Sequence, residues 1–248
     1  YKRQVKFNMS GYDDVDLRNF GGQKKKRTAF AQSDTGKQIM TAMIDAVRRK
    51  EASGMVERFS HHSFLTLRLC GNICCGCVIR DEYSQETVEL PGDAVIVATG
   101  GMHGLFGNTT GSLSNTGEVT AELFRLGVPL ANGEMIQYHP TTVKCGGKRM
   151  LISEAARGEG GRLFAMKDGK QWYFMEEKYP ELGNLMPRDI TAREIWKVSH
   201  ESEVFLDMTE ISEEIISNKL SGLADDCMTY LHKDIRKEPV SVLPGIHY

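Results

Sequence analysis

The strongest chemical signal in the sequence is a constellation of polar residues between positions 134 and 188. His139 is followed by Pro140 in an otherwise apolar segment, and Glu154, Arg157 and Glu159 stand at i, i+3 and i+5 just ahead of Gly160-Gly161. Charges of both signs in globular sequence are costly to bury unless they are paired and used. A surface salt-bridge cluster is the alternative, and the residue types alone leave both open. Gly100-Gly101 follows the apolar run 94–98 after Thr99, and bare backbone there could approach a nucleotide phosphate or ring. A glycine pair is also a common strand-to-turn device, and no GxGxxG or Walker A pattern accompanies it. Cys70, Cys74, Cys75 and Cys77 form C-x3-C-C-x-C, which lacks the paired CxxC spacing of zinc or iron–sulfur sites. Small apolar residues in a buried strand describe them better, and no metal site is expected. The run Lys24-Lys25-Lys26-Arg27 has no interleaved aromatics and reads as a solvated face.

The elements that must carry these residues alternate between strand and helix. Ile39, Met40, Met43, Ile44 and Val47 form one face of an amphipathic helix, with Arg48, Arg49 and Lys50 suited to its C-terminal dipole. FLTLRL, ICCGCVIRD and ETVEL predict short strands, and DAVIVATGG predicts a buried strand entering a turn. A helix over 118–126 is expected to end at Gly127, with Pro129 beyond it. Residues 132–164 read as turn-rich. Asp189 is a good N-cap for a helix carrying Ile190, Arg193 and Trp196. VFLDM predicts a strand, 210–230 one or two helices, and the end an extended segment. This order indicates an α/β protein.

Composition narrows the class. The chain has 248 residues, with 31 Lys or Arg against 33 Asp or Glu, 40% apolar residues and 26% charged. That is an ordinary globular composition, and a net charge of −2 argues against a dedicated nucleic-acid binder. The longest clean apolar stretch, 94–98, is far too short to span a bilayer, and no signal segment opens the chain. Six unevenly placed cysteines do not suggest a disulfide framework, so a reducing compartment is expected. The chain opens at Tyr1 without an initiator Met and stops at Tyr248, as a fragment would.

Several segments carry a family resemblance. EMIQYHPT (134–141), SEAARGEGG (153–161), PRDITAR (187–193) and PVSVLPGIHY (239–248) resemble the flavoprotein subunits of fumarate reductase and succinate dehydrogenase. RNFGGQ (18–23), RT (27–28), DTGK (34–37), ATGG (98–101) and TGE (116–118) agree upstream in the same order. L-Aspartate oxidases share most of these motifs but usually carry a glutamate where this sequence has Phe20, which favours the dicarboxylate enzymes.

The resemblance implies part of a Rossmann-like FAD-binding domain with an inserted substrate-capture domain, the latter α+β. Residues 1–129 would be partial FAD-binding domain, 130–242 capture domain and 243–248 a return to the first. It implies interconversion of fumarate and succinate by hydride transfer at FAD, with Arg188 as proton donor and Glu154 and Arg157 as its relay. The placement of Arg188 beside a helix N-terminus sets the helix dipole against its charge. His139, Ser153 and His247 would hold the substrate carboxylates. Thr99, Gly100, Gly101, Glu118 and Tyr248 would contact FAD. Ser153 stands where relatives usually have Thr and keeps the hydroxyl, and Glu118-Val119 stands where they usually have Asp-Gly. An iron–sulfur electron-transfer subunit is the implied partner, with no nucleic acid and no direct membrane span. The implied location is cytoplasmic, peripheral on the membrane face through partner subunits. L-Aspartate oxidase and a non-catalytic dicarboxylate-binding module are the alternatives. As an internal piece without the GxGxxG unit, residues 1–248 alone are expected to be inactive and to retain no stoichiometric FAD. An absorbance spectrum after incubation with excess FAD and desalting checks this, and a retained stoichiometric flavin band overturns it.

Overall fold

The computed structural model describes residues 5–247 apart from 12, 13, 20–22, 24 and 33. Phe20, the Gly21-Gly22 turn, Lys24 and Tyr248 therefore lie outside the described residues. A short antiparallel pair, β1 (Leu17–Arg18) and β2 (Thr28–Ala29), precedes the helix α1 (Thr35–Ala52). β3 (His62–Cys70), β4 (Ile73–Asp81) and β5 (Thr87–Pro91) then form an antiparallel meander. Gly76 lies where β4 passes closest to β5. A Cβ there would sit 2.0 Å from the Leu90 carbonyl oxygen, so only glycine fits. A short 3₁₀ turn, His103–Phe106, and α2 (Glu118–Arg125) follow.

The second half holds the larger core. β6 (Tyr138–Cys145) and β7 (Lys148–Leu151) pair, and then come α3 (Glu154–Gly158), β8 (Arg162–Lys167), β9 (Lys170–Trp172), α4 (Phe174–Lys178) and α5 (Arg188–Val198). β10 (Val204–Asp207), α6 (Glu213–Lys219), α7 (Ser221–Leu231), β11 (Val240–Ser241) and β12 (Leu243–Ile246) complete the chain. One sheet runs β11-β10-β8-β9 and another β12-β6-β7. Leu163, Ala165, Val204 and Leu206 are fully buried on the first sheet, and Met175, Ile195, Leu220 and Ile235 close over it. The contiguous apolar cluster lies entirely between Ile152 and Val242. Pro244 occupies the register shift of β12, where a missing N–H costs no ladder bond.

The first half departs from the sequence expectations. α1 forms, with Arg49 and Lys50 in its last turn, but Ile39, Met40, Met43, Ile44 and Val47 are 41–59% exposed and only Ala42 is buried. Residues 94–100 form no strand, and Ile96 is 92% exposed. A buried parallel strand needs neighbours on both sides, and among the described residues none pairs with this segment. The cysteine run does lie in strands, with Cys74, Cys75 and Cys77 in β4, but it is not buried. It borders the β3–β4 hairpin turn, where Cys70 and Cys75, 6.3 Å apart at Cα, form a disulfide, while Cys74 and Cys77 are free and half-buried. Asp189 is not the N-cap of α5. Pro187 holds that position and Asp189 sits in the first turn, where its charge still suits the dipole. The stretch read as turn-rich contains β6, β7, α3 and the start of β8.

These contrasts set a stability test. Leu206→Ala should cost about 3 kcal/mol through the cavity it leaves. Ile96→Ala should stay within about 0.5 kcal/mol, because that side chain already meets water. Equilibrium urea unfolding of both variants checks the pair.

Candidate active site

Site geometry begins at α3. The Ser153 hydroxyl caps the helix by accepting the Ala155 N–H at 3.2 Å. Its hydroxyl hydrogen remains for donation. Glu154 and Arg157 follow at helical spacing on one face, 4% and 2% exposed. Burying that carboxylate alone would be prohibitive, and it is paired twice. Arg157 Nη2 donates to Oε1 at 3.2 Å, and Arg188 Nε donates to Oε2 at 2.9 Å. Arg157 Nη1 donates to the Asn184 carbonyl at 2.7 Å, and Arg188 Nη1 to Gln137 Oε1 at 2.8 Å. Asn184 is itself fixed, since its Oδ1 accepts the Leu163 N–H and its Nδ2 donates to Glu176. Desolvation pulls the Arg157 pKa below its ordinary value, with Glu154 opposing and Arg188 adding to the fall. The Arg188 side chain is 29% exposed, against 4% for Glu154 and 0% for Arg157, so the row runs from the interior to the surface.

Two histidines stand beside this row. His139 on β6 is 1% exposed, its Nδ1 lies 3.2 Å from Thr141 N and O, and its ring meets His247 edge-on at 5.4 Å. Burial first, then Arg157, Arg188 and His247, push the His139 pKa down to about 2. Burial, Arg188 and His103 also lower that of His247. Both rings are therefore neutral near pH 7 and can each donate one N–H. His247 N donates to Gln137 O at 2.9 Å, which ties the chain end to the segment before β6. Two guanidinium groups against one carboxylate leave the cluster one positive charge, which with neutral donors suits an anionic ligand.

Three of the residues expected from the sequence to face the cofactor lie on the segment that leads to His103. Thr99, Gly100 and Gly101 are exposed on irregular backbone. Gly100 has φ 77°, and a Cβ there would meet Asn115 Nδ2 at 2.8 Å. A Cβ on Gly101 would meet His103 Nδ1 at 3.2 Å, and that nitrogen is buried without a partner among the described residues. Bare glycine backbone beside exposed Ile96 and Val97 fits a flavin nucleotide. Glu118 is exposed in the first turn of α2. Tyr248 lies outside the described residues. An open groove of about 940 Å³ includes Gln137, Tyr138, Arg188, Arg193, Trp196 and Pro244 in its lining, and touches the buried row only at Gln137 and Arg188.

Of His139, Glu154, Arg157 and Glu159, only Glu159 joins neither the row nor the histidines beside it: it pairs with Lys219 at 3.1 Å. Sequence reasoning gave no role to Gln137, although 137 and 139 fall on one face of an extended segment. Asn184 and Thr110, whose Oγ1 lies 2.7 Å from His247 Nδ1, left no such signal, since long-range pairing alone brings them in.

The fold and site define the chain as an FAD-binding flavoprotein. It belongs to the FAD binding domain family, whose match covers residues 2–248, and its cofactor is FAD. The succinate dehydrogenase flavoprotein subunit of Bacillus subtilis is 40% identical over 98% of this chain, and the fumarate reductase flavoprotein subunit of a Serratia species 30% over 94%. A solved variant of E. coli quinol fumarate reductase superposes with a TM-score of 0.85 at 27% identity over 98% of the chain. The mixed helix–strand fold expected from the sequence is that of this flavoprotein. The chain spans only 43% and 41% of the two curated relatives' lengths. No helix among the described residues is long and apolar enough to cross a membrane.

The neutral state of His139 predicts a pH effect on stability. Its folded pKa lies below the unfolded value near 6.5, so below that pH the unfolded chain takes up a proton that the folded one refuses. Stability should fall with acidification, by about 1.4 kcal/mol per pH unit. Between pH 6.5 and 5.0 the His139→Gln variant should lose ~2 kcal/mol less than the parent in urea unfolding.

Proposed function

We propose that the protein carrying this chain interconverts fumarate and succinate. The observation that carries the reading is the buried Glu154 carboxylate bridging Arg157 and the half-exposed Arg188, beside two neutral histidines. Bound FAD supplies the two-electron hydride exchange. His139, His247 and Ser153 hold the two substrate carboxylates by N–H and O–H donation. Arg188 gives a proton to one alkene carbon while hydride reaches the other, so two electrons and two hydrogens are added across the double bond. Glu154 and Arg157 relay a proton taken up from water back to Arg188, the carboxylate being protonated only in passing, so no deprotonated guanidinium accumulates. Thr99, Gly100, Gly101 and Glu118 face the cofactor.

Residues of roughly 130–242 act as the capture domain, with 243–248 returning to the FAD-binding domain; the position of the apolar cluster supports this division. The similar solved structures include a quinol–fumarate reductase with menaquinol, which favours an iron–sulfur partner passing electrons between this flavoprotein and a quinone, at the membrane face.

Arg188→Lys in the complete flavoprotein should keep its flavin yet reduce fumarate at least a hundredfold more slowly, about 2.7 kcal/mol of barrier. Lysine has neither the fork nor the reach to bridge Glu154 and Gln137. A fall of less than about tenfold, near 1.4 kcal/mol, removes Arg188 from the role of acid. Oxidation of L-aspartate in place of fumarate reduction would replace the reading altogether.

A further inference from the structure

The loop 108–111 carries no motif, yet it is sewn to the site. Thr109 forms a parallel bridge with Ile246, and Ile246 N donates to Asn108 O at 3.1 Å. The Ile246 carbonyl accepts the Thr110 N–H at 2.9 Å and the hydroxyl of fully buried Thr109 at 3.1 Å. The next residue, Gly111, lies flat on His103. A Cβ there would be 2.0 Å from His103 Nε2, which is 3.2 Å from the Asn115 amide nitrogen. The backbone is thus held on both sides of Thr110, whose Oγ1 lies 2.7 Å from His247 Nδ1.

We propose that Thr110 is a positioning residue that holds His247 as its Nε2–H tautomer, so that the nitrogen opposite the loop donates to a substrate carboxylate. The proposal rests on the reading of His247 as a carboxylate ligand. The argument is one of counting. The Thr110 hydroxyl has one hydrogen and two acceptors in range, His247 Nδ1 at 2.7 Å and Ile246 O at 3.5 Å. Both lone pairs of Ile246 O are already used by better-placed donors. The hydroxyl hydrogen therefore goes to Nδ1, and a neutral imidazole that accepts at Nδ1 carries its hydrogen on Nε2. Burial, Arg188 and His103 disfavour a second proton on the ring, so the choice of tautomer is a real one. In the opposite tautomer Nε2 would turn a lone pair toward an anion and repel it.

The test uses the complete flavoprotein, its Thr110→Val and Thr110→Ser variants, ¹⁵N-histidine spectra and titration with malonate, a dicarboxylate that cannot be turned over. The parent should show His247 with Nε2 protonated and Nδ1 accepting. Thr110→Val keeps the shape but not the hydroxyl. It should give a mixture of tautomers, bind malonate about tenfold more weakly, and raise the fumarate KM more than it lowers kcat. Thr110→Ser should restore all three. A parent ring protonated at Nδ1, or a Val variant with unchanged tautomer and affinity within about twofold, overturns the proposal. If the parent binds no malonate but Thr110→Val still shifts the tautomer, the positioning role stands and the dicarboxylate reading of the site falls.

Discussion

The Glu154 carboxylate, out of water and shared by two guanidinium groups, is the interaction on which the rest of the site depends. Each partner commits a different part of the fold. Arg157 ties α3 to the turn around Asn184, and through Asn184 to β8. Arg188 ties the start of α5 to Gln137 and so to the segment leading into β6. Removing either charge from such a group leaves its partner buried and uncompensated, which costs far more than the intact pair contributes. The site therefore has one arrangement in which the buried carboxylate is met by both guanidinium groups, although Arg157 Nε has no hydrogen-bond partner among the described residues. That single arrangement keeps the surplus positive charge at the surface-facing end, on Arg188.

The same electrostatics explain why both histidines stay neutral. A protein that holds an anion by protonated histidine depends on pH through the ligand site itself. In the proposed function the nearby guanidinium groups would supply the permanent charge and the imidazoles the direction. Division of labour of this kind places charge where it cannot be lost by titration, and leaves the short, orientable donors to set geometry. The loop before α2 belongs to this second task, since it anchors the ring at the chain end.

The second half of the fold was legible in the sequence where periodicity was strong and its partners lay within the chain. VFLDM, the helices of 210–230 and the helix carrying Trp196 formed as read, because their apolar faces meet one shared core. DAVIVATGG has the same β-branched pattern, yet forms no strand, because strand character in a parallel sheet is conferred by neighbours. α1 shows the complementary case: it forms without a side-chain N-cap, and among the described residues its apolar face is not covered. The catalytic-looking residues were legible by type and by motif. Gln137 was quoted within one of those motifs but given no role. Thr110 and Asn184 were not legible, since a threonine or an asparagine in a loop gains meaning only from what the folded chain brings against it. The Cys70–Cys75 bond was missed because its spacing belongs to no framework and reflects only the tight hairpin that brings the two together.

The pairing of β6 with β12 carries a further meaning for how such a molecule is put together. Thr142 donates to Leu243 O at 2.7 Å across 101 positions of sequence, so the strand that leads into the second half and the strand that leaves it lie side by side. Between them sits a complete apolar core with its own sheet and helices. The unit also touches the preceding residues away from this ribbon, where Asn8 donates to Asn218 O and Ser221 to Gln32 Oε1. Ends so close together let a unit be inserted into, exchanged within or lost from a host domain without moving the host's own strands. Closing so long a loop adds only a logarithmic entropy cost, which the ribbon's ladder meets once. The two crossings between the halves of the chain therefore lie side by side, in one ribbon.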